Sequence, residues 1–313
     1  MGAQAAALLD AGGPVGEVPS SVTTTGSLQL AAPTPYDLDR VARGHGGVGL
    51  APSAYDGTRL HRVLRLPAGE AAVVVSPDLR VTWSGAADAA EVRRQLGVVL
   101  ALDDDLGALW DACDRLPSLS WVRAVGAGRV LRSPSAWEDL VGTLAATNTS
   151  YAATRRRVGA LVTGAFPTPE RVARLGEDGL RAAGWGYRAA ALRRLAEGIG
   201  NGLDVEAWRG GDLDDEQVLA RLRALPGFGP FAAATALPLM GHRPRPLVLD
   251  GWLRQQVPDI ERFRVLGRWA GTGLWLEVTA ARGRTRPLPD GSVGRGGGSP
   301  TWRGSPPPPR RRR

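Results

Sequence analysis

Two helical patterns joined by a four-residue link constrain this chain more than any other feature. In EQVLARLRALPGFGPFAAATAL, residues 216–237, the side chains of Val218, Leu219, Leu222 and Leu225 fall on one face of a helix. Pro226-Gly227-Phe228-Gly229 breaks that pattern, and a second helix is expected to restart at Pro230, a residue suited to a first turn. Glycines in so short a link let backbone N–H groups point outward at a helix N-terminus. Such a group binds phosphate through amides and dipole, without side-chain charge. The same pattern also fits an ordinary helical hairpin closed by glycines. Twenty-one residues beyond Gly229, after the apolar run Leu247-Val248-Leu249, stands Asp250. It can cap a following helix, and a carboxylate held ionised at a helix N-terminus can also stabilise a nearby positive charge.

The formal charge of the 313-residue chain is +8, which on its face suggests a nucleic-acid partner. Its distribution weakens that argument. From residue 282 onward there are nine Arg and one Asp, and the rest of the chain holds 30 basic and 30 acidic residues. The folded body is therefore neutral, so electrostatics alone does not point to DNA. Every basic residue other than histidine is arginine, so no lysine is present to form a Schiff base. Cys113 is the only cysteine, which excludes an internal disulfide, a multi-cysteine zinc site and a cysteine-ligated iron–sulfur cluster. His45, His61 and His242 have no ligand spacing, so no metal site is expected. No run reaches the 18 or so apolar residues of a membrane helix. The N-terminus lacks a signal-peptide pattern, and Ala6 stands where myristoylation calls for Ser or Thr. A cytoplasmic location without membrane contact is the resulting expectation.

Composition and periodicity divide the chain. Residues 1–27 are rich in Ala, Gly, Ser and Thr without period, and residues 282–313 are dominated by Gly, Pro and Arg; both are expected to be disordered. Between 28 and 100, HRVLRLPAG, EAAVVVSPDL and RVTWSG read as strands separated by turns, followed by a helix from about Ala89. From 101 to 281 the pattern is helical throughout. Leu109 and Cys113 stand at i, i+4, and Ser135 is an expected N-cap with Glu138 at capping-box spacing. GRWAGTGLWLEVTA is the last helical candidate. The expected fold class is α+β: a small N-terminal antiparallel β domain followed by a larger all-α domain.

The hairpin LPGFGPFAAATAL with LVLD downstream resembles the helix-hairpin-helix DNA glycosylase superfamily. The resemblance runs in order along the chain. PYDLDRVARGHGG is similar to the start of the family's β domain, and LDDDLGALW, LVGTLAATNTSYAATRRRVGALVTGAF and AAGWGYRAAALRRLAEGI resemble stretches of 8-oxoguanine and 3-methyladenine glycosylases. GRWAGTGLWLEVTA resembles their closing helix. Together the matches span roughly residues 28–281.

The resemblance implies that Asp250 is the catalytic aspartate and that Gly227, Phe228 and Gly229 bind the DNA backbone. It further implies that Asn148, Tyr187 and Arg188 wedge into the duplex and face the orphaned base, and that Phe231 and Trp275 line the base pocket. Phe231 falls where strand-cleaving members carry their lysine, which implies a monofunctional enzyme. The implied partner is double-stranded DNA containing a damaged base, bound by a monomer. No cofactor is implied beyond a monovalent cation at the hairpin carbonyls. Each assigned residue also has a structural reading: Tyr187 as a core aromatic, Arg188 as a solvated charge, Asn148 as a helix C-cap, Trp269 and Trp275 as core. One turn before Trp275, where 8-oxoguanine enzymes carry a glutamine that reads the base, this chain has Gly271. That departure, and the presence of a single suitable carboxylate, favour an alkylated purine. The alternatives are an 8-oxoguanine-type glycosylase and a non-catalytic DNA-binding protein on the same scaffold.

Overall fold

The computed structural model describes residues 25–44, 47–86, 88–241, 243–249, 257 and 259–280. It opens with strand β1 (Thr25–Gln29) and helix α1 (Leu38–Gly44), followed by β2 (Ser53–Tyr55), β3 (Leu60–Leu66), β4 (Gly69–Val75) and β5 (Arg80–Gly85). The strands form one antiparallel sheet in the order β1-β5-β4-β3-β2. β1 begins three residues ahead of the expected boundary at Leu28. Thr25 already pairs with Ser84, and cross-strand hydrogen bonding overrides the weak local pattern. Leu64, Val73 and Val81 alternate onto the buried face, where Val92, Leu96 and Val99 of α2 (Ala89–Val99) cover them. Asp88 caps α2 by accepting the Ala90 N–H at 3.1 Å.

The helical body continues through α3 (Gly107–Cys113), α4 (Trp121–Ala124), α5 (Ala136–Ala146), α6 (Tyr151–Gly159), α7 (Pro169–Arg174) and α8 (Gly176–Leu180). Then come α9 (Ala189–Gly200), α10 (Asp215–Ala224), α11 (Pro230–Ala236) and, after a 3-10 stretch at Glu261–Trp269, the closing helix α12 (Ala270–Ala280). This body contains two apolar cores rather than one. One is built from α5 to α11, around Leu140, Leu144, Trp185, Leu192 and Leu222. The other unites α3 and α4 with the distant α12, around Leu109, Cys113, Leu119, Phe263 and Leu274. Among the described residues no helix is long and apolar enough to cross a membrane.

A buried ion pair ties the sheet to the larger helical lobe. Arg62 projects from the core face of β3, where the alternation calls for an apolar residue, and it pairs with Glu138 of α5. Ser135 caps α5 as expected, accepting the Glu138 N–H at 3.3 Å. The Glu138 carboxylate does not return the bond that would complete a capping box, because Arg62 takes it. Burial raises its pKa, and the Arg62 charge works against that rise. A complete capping box occurs instead at α10, between Asp214 and Gln217.

Candidate functional site

The link between α10 and α11 turns its glycines outward and its aromatic inward. Phe228 is buried in the larger lobe's core, so only its backbone is available to a ligand. Its N–H donates to Leu225 O at 3.1 Å, and Gly229 then opens α11 by accepting the Ala233 N–H at 3.0 Å. Gly227 has φ +82°, the left-handed region. A Cβ there would lie 2.7 Å from Leu144 Cδ1 and 3.2 Å from the Ala191 Cβ. Gly229 has φ −76° and nothing within 4 Å of its would-be Cβ. The two glycines therefore serve different ends: Gly227 is demanded by the fold, whereas Gly229 leaves the surface open.

Leu144 and Ala191 also fix the position of the next group of residues. Three residues after Leu144, α5 ends at its C-cap Thr147, and the exposed Asn148 follows with φ +42°. Three residues before Ala191 stands Arg188, next to Tyr187, which is 67% exposed. The hairpin, Asn148 and Tyr187 thus sit on one lobe. Arg188 behaves differently from its neighbour, being only 3% exposed. Its Nε donates to Thr147 Oγ1 at 3.0 Å and its Nη2 to the Thr147 carbonyl, and its guanidinium stands 4.2 Å from the Tyr187 ring centroid. Burial lowers its pKa, with Arg157 adding to the effect. Arg157 donates to Gly184 O at 3.1 Å, Ala145 O at 3.1 Å and Thr149 Oγ1 at 3.0 Å. Arg157 and Arg188 together clamp the 147–149 loop to the 184–188 loop. Arg155 and Arg156 stand exposed on α6 just beyond, a local positive surface that whole-chain charge counting missed.

Phe231 and Trp275 come from different lobes and are bridged by Arg245. Phe231 extends from α11 to pack against the α3–α12 core, while Trp275 on α12 donates its Nε1–H to Gly44 O at 2.9 Å. A cleft here is lined by Asp104, Arg132, Arg243, Arg245, Trp269 and Trp275 among others. The Arg245 guanidinium lies over both aromatic faces, 5.4 Å from the Phe231 centroid and 4.6 Å from that of Trp275. Sequence reading overlooked Arg245: set between two prolines in an extended segment, it carries no periodic signal. Gly271 has a structural reason as well, since a Cβ there would lie 2.2 Å from Pro246 O and 2.5 Å from Arg245 O. No side chain fits at that position, so the missing glutamine says nothing about the base.

Asp250 lies outside the described residues, as do His45 and His242. Leu249, the last described residue before it, packs against the same core as Phe231. Among the described residues no group of three or more His, Cys, Asp or Glu side chains is placed to hold a metal ion.

No family model matches the sequence, and a search of curated proteins returns no match. Solved structures do match. The chain is similar to the 3-methyladenine DNA-glycosylase from Archaeoglobus fulgidus at 18% identity and TM-score 0.63, covering 82% of this chain and 98% of that one. It is similar to MBOgg1 in complex with a low affinity DNA ligand at 16% identity and TM-score 0.62, over 83% and 96% of the two chains. It is also similar to Clostridium acetobutylicum 8-oxoguanine glycosylase/lyase in complex with dsDNA containing cytosine opposite to 8-oxoG. There the identity is 20% and the TM-score 0.53, over 71% and 88%. At such identities the likeness establishes the fold alone: a small antiparallel sheet followed by a larger helical body.

Proposed function

We propose that this chain is a monofunctional DNA glycosylase of base-excision repair, acting as a cytoplasmic monomer on duplex DNA that carries an alkylated purine. What supports the reading most is the adjacency of the hairpin, Asn148 and Tyr187 on one lobe of a fold shared with DNA glycosylases. In this reading the backbone at Gly227 and Gly229 receives a phosphate through its amides, the Phe228 N–H being taken by Leu225 O, and a monovalent cation at the hairpin carbonyls belongs to the same assignment. The damaged base leaves the stack at a cost of about a few kcal/mol. Tyr187 and Asn148 fill the gap, and the inward-turned Arg188 holds both loops in position for it.

The extruded base stacks on the faces of Phe231 and Trp275. Two rings that already hold a guanidinium suit a flat cation, which is what a purine alkylated at N3 or N7 presents in DNA. Such a base needs no general acid, because the departing electron pair neutralises it. Asp250 stabilises the oxocarbenium-like sugar and orients the attacking water, which adds to C1′ as the base departs. With no lysine in the chain, the lysine Schiff-base route to strand cleavage is missing, and in this reading the strand stays intact. A free-base release assay on alkylated duplex, run on wild type and Asp250→Asn, tests the assignment. Release by wild type, none by the variant, and retained binding of the variant to abasic-site DNA are expected. Near-normal release by Asp250→Asn overturns it.

A further inference from the structure

Arg245 occupies the surface that the proposed reaction reserves for a base. The residue is 4% exposed, and its guanidinium covers both the Phe231 and Trp275 faces. Its Nη2 donates to Thr235 Oγ1 at 3.0 Å, and its backbone N–H donates to Thr272 Oγ1 at 2.9 Å. The main chain is held in place by the close approach of Gly271, so displacement of the group falls to the side chain alone.

We infer that Arg245 is a self-occluding residue: in the unbound protein its guanidinium stands in for a flat cationic base on the Phe231–Trp275 pair, and an incoming base must displace it. The inference rests on the pocket assignment made above. A guanidinium is planar, positively charged and at ease on aromatic faces, so the protein supplies its own competitor for the site. The pocket is thereby closed to weakly bound bases until one bids more strongly for the rings. Occlusion lowers the apparent affinity for every base by the fraction of molecules in which the faces are free. Release of the ring contacts and of the Thr235 hydrogen bond puts that penalty at about tenfold or more.

Two readouts test this, one of them independent of DNA. The first is calorimetric titration with 1-methylquinolinium, a flat aromatic cation. Arg245→Met keeps much of the side-chain volume without the charge or planarity, and it is expected to bind the probe about tenfold more tightly than wild type. Thr235→Val, which removes the hydroxyl holding Nη2 and leaves the rings untouched, is expected to shift affinity the same way by a smaller factor. It keeps the question answerable if Arg245→Met fails to fold. Trp275→Leu added to Arg245→Met is expected to abolish the gain. Equal or weaker binding by Arg245→Met and Thr235→Val overturns the inference. The second readout is the affinity for a duplex bearing an uncleavable 2′-fluoro 7-methylguanine, divided by that for an abasic duplex. This ratio is expected to rise about tenfold in Arg245→Met. A tighter probe with an unchanged ratio keeps the occlusion and counts against the glycosylase reading, so the two failures are distinguishable.

Discussion

The two glycines of the hairpin separate the fold from the function, and substituting each by alanine tests that separation. At Gly227 the added methyl meets two obstacles: a backbone at φ +82° and the Leu144 Cδ1 at 2.7 Å. The left-handed conformation costs an L residue about 1–2 kcal/mol. Forcing a methyl into a packed core adds roughly 1–3 kcal/mol, with Leu144 and Ala191 both having to give way. Gly227→Ala is therefore expected to lose about 2–5 kcal/mol by these two effects in urea unfolding, with an unchanged m-value. At Gly229 the backbone is ordinary and the space beyond it empty, so Gly229→Ala is expected to cost less than about 1 kcal/mol, the difference between glycine and alanine at an N-cap. Its effect falls on the ligand, because the methyl stands where a phosphate would approach the amides. Duplex affinity at fixed salt is expected to drop about tenfold in Gly229→Ala, as for loss of a charge-assisted hydrogen bond. A Gly227→Ala variant as stable as wild type, or a Gly229→Ala variant that binds duplex normally, refutes this division of labour.

Further outcomes concern the ion pairs and the wedge. Glu138→Gln leaves Arg62 buried without its counter-charge and is expected to cost about 3–5 kcal/mol in denaturant unfolding, much of it restored in Arg62→Met/Glu138→Leu. A loss below about 1 kcal/mol would show that the pair is solvated. At the start of α2, hydrogen bonds from Arg94 and then Gln95 hold the Glu91 carboxyl down at about 2, against an ordinary 4.5. A lowered folded-state pKa stabilises above the unfolded value and fades as pH falls through the folded one. Glu91→Gln is thus expected to melt below wild type at neutral pH by no more than about 1 kcal/mol, the gap closing between pH 4.5 and pH 2. A gap independent of pH contradicts the cause given. Tyr187→Ala removes a side chain that is 67% exposed, so stability is expected to change within about 0.5 kcal/mol while lesion-duplex binding weakens. Unchanged binding removes Tyr187 from the interface.

The strands and caps were legible because local chemistry dictates them. β3 to β5 are short runs bounded by Pro-Ala-Gly and Ser-Pro-Asp turn signals, Ser135 caps where a cap was expected, and the Pro-Gly-Phe-Gly link breaks a well-marked helix. β1 was not read as a strand because its partner β5 lies some fifty residues away, and no local window contains both. The second helical core was invisible for the same reason, since α12 returns to pack on α3 and α4. Glu138 suited a capping box in sequence, and only a long-range partner on β3 explains its different use. At the candidate site the hairpin could be read from glycine spacing, whereas Arg188 turning inward and Arg245 covering two aromatic rings depend on tertiary packing. Gly271 is the reverse case: a glycine read as a lost base contact is a packing requirement against Arg245 and Pro246.

Product analysis of the wild-type chain on an alkylated duplex, under single turnover, tests the central claim most directly. Free base is separated by chromatography, and the strand is sized before and after alkali. The account predicts released alkylpurine, with the strand whole until alkali cuts it at the abasic site. A duplex that keeps its base, or a strand nicked without alkali together with a borohydride-trapped adduct, contradicts it.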